Sequence, residues 1–294
     1  MLTLSAFITV CCVLTTVDQV QGKTPGDCSL STVDAASETA LLKFDTTAAS
    51  DFPKKLGMCA VVGSSAILRG AGWGPTIDGF ETVIRMNRLP APEFESDFGK
   101  KTDILFQNWQ PMVKSEALLL GGKAEKVNKT NAFDGLKALV MAPSGRPVPE
   151  LYRKMPFPVA LLVDDELYTW YSSTFGPFPH GVSCPTPSAG FKAFWYFTPL
   201  CDQVRIFGFG GSASLDGHGA CHDYNAEHRF LDAFVDGTFE STYARTEGRS
   251  ERFRMHLQHL SGKSGCVKRE EGADSSTKKK PMRSRREVLL HLDG

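Results

Sequence analysis

Six short apolar runs limit the fold more than any other feature of this chain: "MCAVVG" (58–63), "TVIRMN" (82–87), "DILFQN" (103–108), "ALVMAP" (138–143), "VALLVD" (159–164) and "QVRIFGFG" (203–210). Each has strand length, and the segments between them are long enough for helices. Near-continuous apolar strands that alternate with helices predict an α/β fold, a mostly parallel sheet with helices on both faces in a single Rossmann-like domain. Ligands of such sheets bind beyond the carboxyl ends of the strands. Two runs end in small, flexible sequence, "GSS" at 63–65 and "GFGG" at 208–211. The site is expected there.

The flanks differ from this region. Residues 2–17 form an uncharged, mostly apolar run with no Lys or Arg before it. Residues 1–22 therefore read as a targeting segment, either a cleaved signal or a retained single-pass anchor. Residues 23–56 are rich in Ser, Thr and Ala and read as a short stem. From residue 262 the chain turns basic and poor in apolar residues, with nine Lys/Arg against three Asp/Glu between Lys263 and Arg286. Residues 262–294 are expected to form a disordered tail, which leaves 57–261 as the folded domain. The formal net charge is +0, so the chain as a whole is not a nucleic-acid binder by charge. Entry into an oxidising lumen makes Cys28, Cys59, Cys184, Cys201, Cys221 and Cys266 disulfide candidates with open pairing. Asn128, in "NKT", is a glycosylation sequon.

Several positions carry chemistry on local grounds. Gly63 ends a strand, and Ser64–Ser65 offer hydroxyls and backbone N–H groups to a phosphate or ribose, or make an ordinary turn. Asn87 ends another strand with an amide that both donates and accepts. Ser188 precedes "AGFKAFWYF" as the N-cap of a buried helix, and its small neighbours Ala189 and Gly190 let an anion approach the helix start. Residues 217–228, "GHGACHDYNAEH", hold three histidines, a cysteine, an aspartate and a glutamate. They read as a zinc site, a structural cluster, or a catalytic base with its partner. Zinc suffers from Gly219, which stands where a zinc-protease helix needs Glu, and from the lack of a second cysteine at short spacing. A dinucleotide oxidoreductase is excluded, because "GSSAILRGAGWG" lacks G-x-G-x-x-G at the first turn.

Taken together, Cys59 to Thr102, "CAVVGSSAILRGAGWGPTIDGFETVIRMNRLPAPEFESDFGKKT", resembles the large sialylmotif of the animal-type sialyltransferases. "PSAGFKAFWYFTPLCDQVRIFGFG" (187–210) resembles their small sialylmotif, and His222 to Glu227 resembles the very short motif H-x-x-x-x-E. The resemblance implies a variant of the glycosyltransferase-A-like, single-Rossmann architecture and a Cys59–Cys201 disulfide. It also implies an inverting, metal-independent transfer from CMP-sialic acid, with no cofactor, to a glycan hydroxyl on a glycoprotein or glycolipid in the Golgi lumen. His222 would be the general base, and Glu227 would hold that imidazole or shape its charge. His218 would support the departing phosphate, a match resting on one histidine, because "HGAC" keeps none of the family's aromatics there. Gly63, Ser64, Ser65, Asn87, Ser188, Ala189 and Gly190 would line the donor pocket. Ser64 replaces an Asn of the family pattern, and Ala189 a Thr. Those departures keep open a catalytically inactive relative that binds CMP or a glycan, and another CMP-activated sugar such as Kdo is a second alternative. Asp164 and Asp165, in "VDDELY", then read as a strand-end turn or helix cap rather than metal ligands.

Overall fold

The computed structural model describes residues 42–44, 52–53, 55–87, 89–90, 92–108, 135–142, 157–162, 165–178, 186–210, 222–243 and 248–270. The apolar run at 2–17, the sequon at Asn128, Cys28, Cys184, Cys221, His218, Asp164 and the residues from 271 onward lie outside that set. Among the described residues, no helix is long and apolar enough to cross a membrane.

All six apolar runs are strands: β2 (Gly57–Val62), β3 (Thr82–Met86), β4 (Ile104–Asn108), β5 (Ala138–Ala142), β6 (Val159–Leu162) and β7 (Cys201–Phe207). Two more complete the sheet, β1 (Leu42–Phe44) and β8 (Val267–Glu270), giving the order β1-β6-β5-β4-β3-β2-β7-β8. Every neighbouring pair is parallel except β1 with β6. The domain thus extends beyond the 57–261 expected from composition. β1 and the buried side chains of Phe52 and Leu56 draw on the expected stem, and β8 draws on the expected tail. An edge strand needs few apolar side chains, so "VKRE" pairs through its backbone despite its polar composition.

Alternation of side chains along the strands builds two cores. Val61, Ile84, Phe106, Val140 and Ile206 face a large aromatic layer that includes Trp170, Phe191, Phe194, Trp195, Phe230 and Phe234. Three helices supply this layer: α3 (Asp165–Phe175), α4 (Ala189–Phe197) and α5 (Tyr224–Val235). A fourth, α7 (Glu251–Gly262), adds Phe253 and Leu257. On the opposite face, Val62, Val83 and Phe207 pack against Leu68, Ile77 and Phe98, beneath the short helices α1 (Gly74–Asp78) and α2 (Glu95–Phe98). A small helix, α6 (Phe239–Tyr243), follows α5. Each fully buried Phe, Leu or Ile contributes about 1.5–3 kcal/mol. With both faces covered, the chemistry is left to the strand ends.

The chain leaves β2 toward β3 on one side, while β7 returns on the other. The crevice beyond the carboxyl ends of β2 and β7 is therefore the topological switch point, where sheets of this kind hold ligands. Cys59 and Cys201 form a disulfide across these two strands, with Cα atoms 5.9 Å apart and a sequence separation of 142. Cys266 is also disulfide-bonded.

Candidate active site

Four strand ends form the floor of the crevice. Gly63 leaves β2 with its N–H donating to the Phe207 carbonyl at 2.7 Å. A Cβ at Gly63 would lie 2.5 Å from the Gly208 carbonyl oxygen, so only glycine lets β2 and β7 come this close. Ser65 closes the same corner. Its N–H donates to the Gly208 carbonyl (3.3 Å), and its hydroxyl donates to the Gly210 carbonyl (2.5 Å). The Ser65 hydroxyl is thus engaged in the loop itself, whereas Ser64 is exposed.

Asn87 follows β3 with φ of 63°, the left-handed region that asparagine tolerates better than most residues. Its N–H donates to the Phe106 carbonyl at 2.7 Å, and its Oδ1 accepts from the Asn108 N–H at 3.0 Å. Asn108, at the end of β4, has a buried Oδ1 with no hydrogen-bond partner among the described residues. This second asparagine was not singled out from the sequence, although it closes the run "DILFQN" as Asn87 closes "TVIRMN". The large motif is also stitched internally. Arg85 is buried, and its guanidinium donates to the Lys101 and Phe98 carbonyls and to Thr102 Oγ1 at 2.7–3.1 Å. Burial lowers its pKa to about 10, with Asp78 opposing that shift.

The wall of the crevice is the start of α4. Apart from Lys192, the helix is apolar around its circumference, which suits a buried element. Ser188 is its N-cap, and the hydroxyl accepts from the Phe191 N–H at 3.1 Å. A Cβ at Gly190 would meet the Phe209 ring at 2.8 Å and Met86 Cε at 3.7 Å. The helix start therefore sits on the turn after β7 and on the end of β3, which brings the two long motifs together. As at any helix start, the first-turn N–H groups of Ala189 and Gly190 have no partner within the helix, the kind of end that anions favour.

Glu227 explains why this helix start is so firmly placed. It sits in the first turn of α5, buried, below the cap Asp223, whose Oδ1 accepts from the Ala226 N–H at 3.0 Å. Its Oε1 accepts from the Ser188 N–H (2.7 Å) and the Tyr171 hydroxyl (3.1 Å), and its Oε2 from the Ser188 hydroxyl (2.6 Å). Burial raises the Glu227 pKa to about 7, while these three donors pull it back. Both oxygens are thus spent on α3 and α4. The sequence reading had Glu227 hold the imidazole of His222 or shape its charge; the first of these is corrected, because a helix beginning at Tyr224 aims this side chain at Ser188.

The partner of His222 is instead the Thr186 carbonyl, 2.8 Å from Nδ1. A carbonyl can only accept, so Nδ1 carries the proton and Nε2 is left as the basic nitrogen. Burial lowers the His222 pKa; the Thr186 bond opposes this, and the Lys192 ammonium adds to it. The ring lies edge-on to Tyr224, with centroids 5.7 Å apart. Thr186 is two residues before Ser188, so His222 is fastened to the segment that enters α4. Asp165 is the first residue of α3, as expected of a helix start.

Residues 25–153 match glycosyltransferase family 29 (sialyltransferase). The α4 segment and His222 lie beyond the matched stretch. Among curated proteins, the chain is 28% identical over 186 residues to the CMP-N-acetylneuraminate-beta-galactosamide-alpha-2,3-sialyltransferase 2 of Mus musculus, covering 62% of this chain and 50% of that protein. It is 28% identical over 210 residues to the corresponding sialyltransferase 1 of Homo sapiens, covering 67% of this chain and 57% of that protein. The chain thus spans about half the length of the curated relatives it matches. Among solved structures, a mammalian sialyltransferase in complex with Gal-beta-1-3GalNAc-ortho-nitrophenol aligns with a TM-score of 0.43 and 17% identity, over 87% of this chain and 82% of that one.

Proposed function

We propose that this chain, which resembles the family 29 sialyltransferases, transfers sialic acid from CMP-sialic acid to a glycan hydroxyl with inversion, His222 serving as general base. The tautomer of His222 carries this reading. With Nδ1–H committed to Thr186, Nε2 takes the proton of the acceptor hydroxyl as its oxygen attacks the anomeric carbon. The bond from that carbon to the phosphate oxygen breaks, and CMP leaves with the electron pair. A base held in this way typically contributes about 10²–10⁴ in rate. Burial lowers the His222 pKa and so favours the neutral ring, the form the step uses.

On the donor side, Asn87 and the first-turn N–H groups of Ala189 and Gly190 would hold the nucleotide and its growing charge. Gly63 keeps the floor closed, while the hydroxyls of Ser65 and Ser188 act on the protein rather than on the ligand. His218 is proposed for the departing phosphate by resemblance alone. A metal-independent reaction, a Golgi-lumenal setting with an anchor or signal at 1–22, glycosylation at Asn128, and a glycoprotein or glycolipid acceptor belong to the same proposal. CMP-Kdo remains the competing donor.

The test is to supply the purified chain with CMP-sialic acid and mixed galactosides without divalent metal, and to compare His222→Ala. Transfer should be lost in the variant, with CMP affinity little changed. Near-normal turnover in His222→Ala would remove that residue from the mechanism. The exposed Ser64, in place of a family Asn, favours a second reading, an inactive CMP- or glycan-binding relative. CMP binding by the parent chain with neither transfer nor donor hydrolysis would select it.

A further inference from the structure

The edge strand β8 reads "VKRE", and alternation sends Val267 and Arg269 to one face of the sheet, Lys268 and Glu270 to the other. Val267 is buried in the aromatic layer that α5 helps to build, so Arg269 rises beside the same helix. Its guanidinium makes two contacts there. Nη1 pairs with Asp232 Oδ1 of α5 at 2.6 Å, and Nη2 donates to the Phe209 carbonyl at 2.8 Å. The Asp232 carboxylate is 52% exposed, so the ion pair adds little stability by itself. The bond to the carbonyl is the more sheltered of the two.

Phe209 stands between Gly208 and Gly210 in the turn after β7, and a glycine-rich turn loses much conformational freedom when it is held in one shape. Three consecutive carbonyls of this turn are nevertheless held. The Ser65 N–H donates to Gly208, the Ser65 hydroxyl to Gly210, and Arg269 to Phe209 between them. The turn is therefore pinned from both flanks, by the loop after β2 and by β8. Its Phe209 ring is the surface on which α4 begins, since a Cβ at Gly190 would lie 2.8 Å from that ring.

We infer that Arg269 is a positioning residue for the CMP-sugar: by fixing the Phe209 carbonyl, it holds in place the ring against which Gly190 and the first turn of α4 are set. The inference rests on the reading that this helix start receives the donor phosphate. Arg269 lies outside all three motifs and outside the residues that match the family model. Without it the turn samples several shapes, and the donor must order the turn as it binds. Glu227 and Thr186 hold the helix start and His222 from the other side, so the loss falls on donor binding rather than on the chemical step.

The test uses the full chain, with KM and kcat for transfer and calorimetric Kd for CMP. Arg269→Met should raise the KM for CMP-sialic acid and the Kd for CMP about three- to tenfold, the effect of losing much of one charge-assisted hydrogen bond. The acceptor KM and kcat should stay within about twofold. A merely structural role would lower the folded fraction, which reduces apparent kcat and leaves both donor constants unmoved. Glu270→Gln is the control. It removes the other β8 ion pair, Glu270 with Arg205 at 3.2 Å on the opposite face of the sheet, and should leave donor KM and CMP Kd unchanged. If Arg269→Met does not fold, Asp232→Asn at its exposed site removes the carboxylate that steers the guanidinium, and should raise both constants by less. Unchanged donor KM and CMP Kd in the folded variant overturn the inference and leave the donor-site reading intact. An equal rise in Glu270→Gln also overturns it, because any loosening of β8 would then suffice. A parent chain that does not bind CMP removes the donor-site reading, and the role of Arg269 with it.

Discussion

Replacing Glu227 with Gln tests the joint between α4 and α5 at a defined energy. Burial raises the carboxyl pKa from 4.5 to about 7, against the pull of Ser188 and Tyr171. At 1.36 kcal/mol per unit, this makes ionising Glu227 about 3 kcal/mol more costly in the fold than in the unfolded chain. An acid shifted upward stabilises the fold while protonated, so its contribution is complete below about pH 4.5 and is lost as pH rises through about 7. Between about pH 5.5 and 7.5, roughly 2 kcal/mol of it should disappear. Glu227→Gln cannot ionise. It keeps an acceptor for the Ser188 N–H but turns an NH₂ toward the Ser188 hydroxyl, an overall cost of about 1–2 kcal/mol at the lower pH. The assay is urea unfolding of both proteins at the two pH values. The difference between the two pH-dependences cancels every other titrating group. The wild type should lose about 2 kcal/mol more than the variant on going to the higher pH. Stability curves that run parallel for the two proteins would refute the argument that this carboxyl is dry and held by three donors.

The Cys59–Cys201 bridge closes a separation of 142 residues, so the double Ala variant should lose up to about 5 kcal/mol of unfolding free energy in denaturant; a loss below about 1 kcal/mol would deny that the bridge constrains the unfolded chain. Gly63→Ala places a methyl 2.5 Å from the Gly208 oxygen and should cost about 1–3 kcal/mol while weakening CMP binding in calorimetry. Wild-type values for both would sink the close approach of β2 and β7. Asn87→Ala should be less stable than Asn87→Gly by about 1–2 kcal/mol because of its left-handed φ. Both variants should lose CMP affinity equally, and retained affinity in either would take the amide out of the donor pocket.

Long apolar strands advertise themselves, and β2 to β7 were legible for that reason. β1 and β8 were not, because "LKF" sits in a polar segment and "VKRE" in a basic one, and only pairing with β6 and β7 makes strands of them. In the site, Asn87 and the Ser188 cap were legible as residue types at strand and helix ends. The destination of Glu227 was not. Five residues after His222, it reads as a neighbour of that ring, but its partner Ser188 is 39 residues away in sequence. Thr186 was invisible in principle, since it contributes only a carbonyl that any residue could supply. Lys192, a charge inside an otherwise apolar helix, was not singled out, and nothing in its sequence neighbourhood pointed to the Tyr168 hydroxyl that it reaches.

The two outermost strands also determine where this chain can be trimmed. β1 and β8 have three and four residues, and Arg269 of β8 reaches Asp232 on α5 and the Phe209 carbonyl beside the crevice. A version cut back to 57–261 would keep every motif. It would also bare the hydrogen-bonding flanks of β6 and β7, two ready templates for stacking one molecule onto the next. Such a fragment would precipitate or mispair before its chemistry could be assayed, so a silent short version says nothing about whether the intact chain turns over.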